Sequence, residues 1–421
     1  MAEMKMICSC KRYLFLLSFF FIELISLSQT RRLDYFINEG LQNSPLLNDL
    51  QNQINSTLID SLIVRAQRKP QIEGQSQLLY SPYNDHFGYD EVITDGGNYQ
   101  ITGYVSQNIF NSKTTENKYK TIDNQRQGII LNKKITVADL KRLITGLYLE
   151  SYSVYSELAF NSSFLELMKD QNQVVNQFVK AGIFSQSDYL SLLVETQGQE
   201  IIISQLRNLY KKNIRLLNEA CGIVDTINIE LMLPEIKPAE TNNKSDYLFL
   251  KQFTIDSLQI INERTALGLR YKPSVNWFAD AGILTSKPEY FYRHFGASAG
   301  FSLSISIFDG QQRKLEDQKL SIRENTRSFN NLSSRKQYDQ QYLRLKGELQ
   351  GIKEVRSKLA TQLQISDQLV KSLKAQIETG IAKMADYLNA LRNYRSINHN
   401  LNMTNIEVLS IINEMNYILA E

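Results

Sequence analysis

"AGIFSQSDYL", residues 181–190, returns as "TGIAKMADYL" at residues 379–388, 198 positions further along the chain. Five of the ten positions agree, so the pattern Gly-Ile-x4-Asp-Tyr-Leu occurs twice. Both copies interrupt segments that otherwise favour helix. Glycine tolerates the positive φ at which many helices end, and an aspartate satisfies free N–H groups where the next helix begins. The stretch therefore predicts two helical hairpins per chain, with tips at Gly182 and Gly380.

Proline placement marks the helices on either side of these tips. The seven prolines lie at positions 45, 70, 82, 234, 238, 273 and 288, so residues 83–233 and 289–421 contain none. Helix interiors exclude proline, and both spans carry apolar residues at helical spacing. The pattern predicts long helices over 112–180 and 311–379, each about 100 Å long at 1.5 Å per residue, as in a coiled coil or a helical barrel. Shorter return helices are predicted over 188–220 and 386–418.

The two tips belong to a duplication of nearly the whole chain. Ile-Phe-Asn at 109–111 matches Ile-Phe-Asp at 307–309 with the same offset of 198. Lys-Pro at 69–70 matches Lys-Pro at 272–273 with an offset of 203, so the first copy holds five extra residues in between. Two long repeats indicate duplication of one unit rather than a solenoid. We predict a first structural repeat over 29–221, a linker over 222–244 and a second repeat over 245–421.

Between the prolines and the long helices, apolar and polar residues alternate. "ASAGFSLSISIF" (297–308) and "PSVNWFADAGI" (273–283) alternate clearly, and "YQITGYVSQNIF" (99–110) does so more loosely. Alternation over this length is typical of membrane-spanning β-strands, with the apolar side toward lipid. The alternative is a soluble sheet of half-buried strands, which shows the same alternation. The sequence predicts β-hairpins at about 70–111 and 273–309.

Two hairpins supply only four strands per chain. In lipid every backbone N–H and C=O group must be paired, so an open sheet does not persist and a closed barrel is required. Barrels of this kind have at least eight strands. We therefore expect several copies of the chain to pool their hairpins in an obligate oligomer.

The first 28 residues have the features of a signal peptide. Basic residues precede an apolar run of about 15 residues, shorter than the roughly 20 that a spanning helix needs, and small residues follow it. The alternative is an uncleaved N-terminal anchor. Cleavage after residue 28 would leave Cys221 as the one remaining cysteine, too few for a disulfide framework.

Charge and motif content argue against nucleic-acid binding and against catalysis. The net charge is +3 with 22% charged residues, which gives no basic footprint for nucleic acid. His86 and His294 lie in predicted loops and His399 alone on a predicted helix, and no P-loop, GxSxG or HExxH pattern occurs. We predict that the chain is not an enzyme and that it uses no metal and no cofactor.

Taken together, these features resemble those of the TolC family of outer-membrane efflux proteins over residues 31–421. The resemblance rests on the tandem repeat, the strand ends "SQNIFN" and "SISIFDG", Gly-x5-Asp at both tips, "GLRYKPSVNW" before a strand, and "LLNEACG" at the end of the first repeat. It implies a mainly α fold with transmembrane β-strands. Three copies would form a twelve-stranded barrel in the outer membrane of a Gram-negative cell, continued by a helical barrel in the periplasm. Residues 30–43 and 222–244 would form an equatorial belt around the helices.

The resemblance also assigns roles to the hairpin tips, which in this family meet a periplasmic adaptor protein and an inner-membrane pump. The residues expected to contact the adaptor are Gly182, Ile183, Ser185, Asp188, Gly380, Ile381 and Asp386. Asp386 and Asn389 are expected at the periplasmic aperture. Family members often carry a second acid where this chain has Asn389, so a ring of three Asp386 side chains would gate the entrance alone.

Two classes of function fit the sequence. The favoured one is the outer-membrane channel of a tripartite efflux system or a type I secretion system, a passive conduit for small molecules or proteins. The alternative is a structural protein, a trimeric envelope tether or adhesin stalk with a small β-barrel anchor. A stalk needs helices in one direction only, whereas a conduit needs antiparallel pairs around a lumen. The exported substrate is not specified by the sequence.

Overall fold

The computed structural model of the chain describes residues 30–82, 84, 86–90, 95–109, 112–224, 229–239 and 247–420. The predicted signal peptide, 1–28, lies outside the described residues, as do Phe110, Asn111 and parts of the 222–244 linker. The described residues are mostly helical, with one small antiparallel sheet, which confirms the predicted fold class.

The helices, numbered in chain order, follow the proline pattern because the proline-free spans hold good helix formers. They are α1 (Leu33–Asn43), α2 (Pro45–Ala66), α3 (Ser112–Lys180), α4 (Gln186–Cys221), α5 (Lys251–Arg270), α6 (Gln312–Glu378) and α7 (Met384–Ile418). Helix α3 has 69 residues and α6 has 67. None of the described helices contains an apolar stretch long enough to cross a membrane.

Helix α6 begins at a turn that its flanking residues hold in place. Gly310 and Gln311 adopt positive φ values of 64° and 70°. The carboxylate of Asp309 accepts hydrogen bonds from the backbone N–H groups of Gln311, at 2.9 Å, and of Arg313, at 2.8 Å. These bonds satisfy N–H groups that a helix start leaves unpaired. A hydrogen bond from the Tyr271 hydroxyl, helped by these backbone bonds, holds the pKa of Asp309 below its usual value.

The described residues form six strands, of which two are only two residues long and pair with each other, while the other four form one larger sheet. They are β1 (Thr30–Arg31), β2 (Gln71–Tyr80), β3 (Gly97–Asn108), β4 (Glu230–Leu231), β5 (Ser274–Thr285) and β6 (Phe295–Ser304). The larger sheet has the order β2-β3-β5-β6, antiparallel throughout, so β3 of the first repeat pairs with β5 of the second. The alternating segment predicted as strand over 297–308 ends at Ser304, and residues 305–308 lie beyond the paired region.

The described chain forms two compact units that cut across the sequence repeats. One unit comprises the residues up to Ser44 together with Val137–Asn242 and Gln340–Ala420. The other comprises Pro45–Thr136 and Asn243–Asp339. Each unit therefore takes residues from both repeats, because the long helices α3 and α6 contribute to both.

In the first unit, an aromatic and aliphatic core holds the segment around β4 against the helices. Its buried members are Phe36, Ile144, Tyr148, Tyr210, Ile214, Leu217, Cys221, Ile229 and Leu231. Tyr148 donates its hydroxyl to the carbonyl oxygens of Arg31 and Met232, at 3.2 and 2.7 Å, and Tyr210 donates to that of Ile229. Burial raises the pKa of Tyr148 to about 12 and that of the Cys221 thiol to about 12, so both groups stay protonated.

In the second unit, polar contacts join the helices next to the sheet. The buried side chains of Asn117 and Asn262 are paired, with Asn117 Nδ2 2.6 Å from Asn262 Oδ1. Asn262 Nδ2 in turn donates to the hydroxyl of Thr121 at 2.6 Å. Because each buried amide group finds a partner, this contact fixes how α5 lies against α3.

Glycine at position 282 permits the close approach of β5 to β3. A Cβ atom there would lie 2.1 Å from the carbonyl oxygen of Ile101, whereas one at Gly103 would lie 3.8 Å from its nearest neighbour, the carbonyl oxygen of Ala281. We expect Gly282→Ala to lower the free energy of unfolding by about 1–3 kcal/mol through overpacking, and Gly103→Ala to leave it nearly unchanged. Urea unfolding of both variants in detergent measures this, and equal losses would contradict the observed register.

Candidate functional site

Both hairpin tips end their long helix with the same backbone motif. In the first tip Gly182 has φ of 74°, and the N–H of Ile183 donates to the carbonyl of Phe178 at 2.9 Å. In the second, Gly380 has φ of 72°, and the N–H of Ile381 likewise donates five residues back, to Gln376. A left-handed glycine followed by this bond terminates a helix and satisfies its last carbonyl groups. The Gly-Ile pair is repeated because both tips end their long helix with this motif.

The return helices begin differently in the two tips. Ser185 caps α4: its hydroxyl accepts from the N–H of Asp188 at 3.2 Å, and its own N–H donates to the Asp188 carboxylate at 3.1 Å. In the second tip the equivalent cap position is Lys383, which makes no side-chain capping bond. Asp386, in the first turn of α7, is therefore exposed and not engaged in a capping box. The sequence predicted the same capping role for both aspartates, and the structure gives it to Asp188 alone.

The two tips of one chain contact each other. Gly380 lies against Ile183, since a Cβ atom at Gly380 would be 2.9 Å from the Ile183 methyl carbon. The side chains of Ile183 and Ile381 are 52% and 76% exposed. Large apolar side chains with that exposure at a turn offer a surface that a partner could cover.

Below the tips, all four long and return helices share one apolar core. Its buried members are Phe164, Met168, Val175, Leu192, Val370, Ile377, Met384, Tyr387, Leu388, Ala390 and Leu391. Tyr387 is fully buried, and burial raises its pKa to about 12. Tyr189, its counterpart in the first tip, packs against this core while partly exposed. The repeated Tyr therefore serves packing in both tips.

One face of α7 carries an exposed and almost uncharged polar stripe. Its members are Asp386, Asn389, Asn393, Ser396 and Asn400, spaced three and four residues apart. This spacing places side chains in a single row along a helix. Asp386 is the one ionised group in the row, and it lies at the end nearest the tip. Both residues predicted at the aperture, Asp386 and Asn389, thus share an exposed face.

Ionic contacts tie the two return helices together beside this stripe. Arg392 of α7 donates from Nη2 and Nε to Oε2 of Glu195 of α4, at 2.8 and 3.0 Å. Arg395 donates to Oε1 of Gln199 at 3.0 Å, and Gln199 donates to Oδ1 of Asn161 on α3 at 2.8 Å. The contact with Glu195 raises the pKa of Arg392. These side chains fix the relative register of α3, α4 and α7.

A second polar contact lies further along the same helices. Glu157 of α3 is nearly buried, and its carboxylate lies 2.8 Å from Nδ1 of His399 and 3.2 Å from Nδ2 of Asn402. A buried carboxylate needs such partners to offset the loss of hydration. Among the described residues, no three His, Cys, Asp or Glu side chains are grouped as a metal site requires.

In the four-stranded sheet, one face is apolar. The register places Ser76, Gln107 and Thr285 on this face, but its other side chains are apolar or aromatic: Ile72, Leu78, Tyr80, Tyr99, Ile101, Val105, Val275, Trp277, Ala279, Ala281, Ile283, Phe295, Ala297, Ala299, Phe301 and Leu303. None of the strand residues on this face is charged. The opposite face carries Gln, Ser, Thr and Asn side chains, the carboxylates of Glu73 and Asp280, and the larger side chains of Leu79, Tyr104, Phe278 and Leu284. An uncharged apolar face opposite a polar one is the pattern of a strand wall between lipid and water.

Sequence reasoning found the tips and missed the contacts between helices. The hairpin residues Gly380 and Ile183 come together as neighbours. The pair Glu195–Arg392 was not anticipated, because residues 197 positions apart meet only once both hairpins are folded. Glu73 was also missed, although a lone acid in a strand segment is a visible signal for a polar face, whereas the alternation over 273–283 correctly puts Asp280 on the polar side.

Solved structures of outer-membrane channels are similar to this fold. The outer-membrane channel OprN superposes with a TM-score of 0.74 at 12% identity, over 92% of this chain and 89% of that one. VceC from Vibrio cholerae gives 0.71 at 12% identity, over 92% and 96%. The open state of the MtrE channel of Neisseria gonorrhoeae gives 0.72 at 12% identity, over 92% and 89%. No protein-family model and no curated protein sequence matches the chain.

At this level of identity the likeness establishes the fold. This chain has the fold of TolC-like outer-membrane channels over most of its length, which confirms for the fold the resemblance drawn from the sequence.

The capping difference between the tips predicts a difference in local stability. We expect Ser185→Ala to destabilise the first turn of α4 by about 1 kcal/mol, because it removes the acceptor for an N–H group. Hydrogen exchange of the amides at 186–190 should become faster. Lys383→Ala is the matched control, since Lys383 makes no capping bond, and it should leave exchange in α7 unchanged. Equal acceleration in the two tips would contradict this assignment.

Proposed function

We propose that this chain is the outer-membrane channel of a tripartite efflux or type I secretion system. It acts as a passive conduit from the periplasm or an inner-membrane pump to the exterior, and it is not an enzyme. The observation that carries the proposal is the four-stranded antiparallel sheet, which has one uncharged apolar face and one polar face within a channel fold. Such a wall is suited to separating lipid from an aqueous pore.

The open edges of the sheet support assembly into a closed ring of copies. Strands β2 and β6 are the two edges, and they run in opposite directions because the order β2-β3-β5-β6 is antiparallel throughout. Joining β6 of one copy to β2 of the next therefore continues the antiparallel pattern. Three copies give a homotrimer in the outer membrane with a barrel of twelve strands. Every strand edge is then paired, as the lipid environment requires.

The hairpin tips support a docking role. Ile183 and Ile381 are exposed at turns that a rigid four-helix core holds in place. We propose that the tips, including Gly182, Ser185, Asp188, Gly380 and Asp386, contact a periplasmic adaptor that links the channel to an inner-membrane pump. Either a drug efflux pump or a type I protein exporter fits this arrangement, because the tips carry no feature that separates the two.

The alternative, an envelope tether or adhesin stalk, is less well supported. Helices α3 and α4 are joined by a tight turn, as are α6 and α7, so each hairpin consists of antiparallel helices. A stalk has no structural need for antiparallel helical hairpins. Purified protein in a planar lipid bilayer decides between the two: stable single-channel conductance supports the conduit, and its absence in correctly assembled protein rejects it.

The lipid-facing assignment of the apolar face has a direct mutational test. Ala299 and Ser298 are adjacent on β6, both exposed in the single chain, on opposite faces. Ala299→Arg should cost about 2–4 kcal/mol in a bilayer, whereas Ser298→Arg, whose guanidinium would lie beside Asp280 on the polar face, should cost much less. Refolding into lipid vesicles at graded urea concentrations measures both. Equal costs would mean that the face assignment is wrong.

The second-repeat tip has a gating test. If three Asp386 carboxylates face one another across the periplasmic entrance, a multivalent cation should block the channel by bridging them. Asp386→Asn should then weaken block by divalent or trivalent cations roughly tenfold or more, since contacts to charged groups are worth about 1.5–3 kcal/mol.

Asp188→Asn is the matched control for this gating test, because Asp188 is held in a capping box. It should leave cation block nearly unchanged. Conductance is recorded against cation added on the periplasmic side for wild type and both variants. Full block of the Asp386→Asn channel, or loss of block in Asp188→Asn, would reject Asp386 as the gate.

A further inference from the structure

The strands of the four-stranded sheet carry a one-sided charge pattern. Of the residues in β2, β3, β5 and β6, Glu73 and Asp280 are the two acidic ones, and none of these residues is Lys or Arg. Both carboxylates lie on the polar face. A face open to water tolerates either sign of charge, so a wall with acids and no bases is not dictated by folding alone.

The register places the two acids in one row across the sheet. Glu73 is opposite Tyr104, Tyr104 is opposite Asp280, and Asp280 is opposite Ser298. The hydroxyl of Ser298 donates to Oδ2 of Asp280 at 2.6 Å, which holds that carboxylate in place on the face. Glu73 is exposed. The acids lie two strands apart, roughly 10 Å, which is too far for both to chelate one cation. The two carboxylates therefore act on a cation through the electrostatic potential of the polar face and not by binding it together.

A groove beside this row is lined by both acidic and basic residues. Tyr104, Asp280 and Ser298 line the groove of about 680 Å³ together with Arg293 and His294, which come from the turn between β5 and β6. The acids thus belong to the wall, whereas the cationic group belongs to the connecting turn. Neutralising an acid of the wall and neutralising Arg293 of the turn should therefore change the local electrostatic potential in opposite directions.

We infer that Glu73 and Asp280 determine the charge selectivity of the barrel section, favouring cations over anions. The inference rests on the proposed channel function, in which the polar face lines the pore. Three copies then present six carboxylates and no strand Lys or Arg to the lumen. Acidic side chains around a narrow aqueous path raise the local concentration of cations and exclude anions. This selectivity is set in the membrane section, separately from any gate at Asp386.

The test is the K⁺ to Cl⁻ permeability ratio, obtained from the reversal potential in a KCl gradient across a planar bilayer. All variants carry Asp386→Asn, so that the periplasmic entrance does not set the result. Glu73→Gln with Asp280→Asn should lower the ratio roughly threefold or more, and each single change should lower it part of the way. Arg293→Gln should raise the ratio.

A charge-relocation variant separates an electrostatic role from a structural one. Gln75 lies on the same face as Glu73, two residues further along β2. Glu73→Gln with Gln75→Glu moves the carboxylate without removing it, so the ratio should return to that of the parent channel. Conducting channels whose ratio is unchanged by the double acid-to-amide variant and both single variants would overturn the inference while leaving the channel function intact. Assembled protein that conducts no ions would overturn both.

Discussion

Unpaired backbone groups along two strand edges impose the main constraint on this molecule. The four-stranded sheet has an uncharged apolar face, yet β2 and β6 each leave one side of their backbone without a partner among the described strands. In water such edges invite aggregation, and in lipid each unpaired N–H or C=O group costs several kcal/mol. Both difficulties disappear when copies join edge to edge, which supports the proposed assembly of several copies.

The two halves of the chain are similar in backbone and different in chemistry. Both tips end a long helix with a left-handed glycine, but Ser185 and Asp188 close a capping box in the first tip, and Lys383 leaves Asp386 without one in the second. The Gly-Ile pair sets the same helix-ending geometry in both tips. The side chains around it differ, so that one tip is held by its own hydrogen bonds while the other presents a carboxylate to solvent. The proposed gate at Asp386 depends on the second kind of tip.

The sequence predicts the parts of this fold that depend on local chemistry. Proline-free spans predict the long helices, glycine predicts the tips, and alternation predicts β3, β5 and β6, since each follows from backbone preferences of nearby residues. Where a strand stops is less local: β6 ends at Ser304, although alternation continues through Ile307, because its partner β5 begins at Ser274 and pairing runs out. Likewise, Glu195–Arg392 and the row from Glu73 to Ser298 depend on register, which composition does not specify.

The central claim, that β6 of one copy pairs with β2 of the next in a ring of three, is tested most directly by cysteine cross-linking. A cysteine at Gln75 on β2 is combined in turn with one at Ser298, Gly300 or Ser302 on β6, all on the polar face. Cys221, the one free cysteine among the described residues, is buried and should not compete. Oxidation in membranes should give covalent dimers and trimers for at least one pair and nothing larger. Monomers for every pair, or a ladder that continues beyond three chains, would contradict the account.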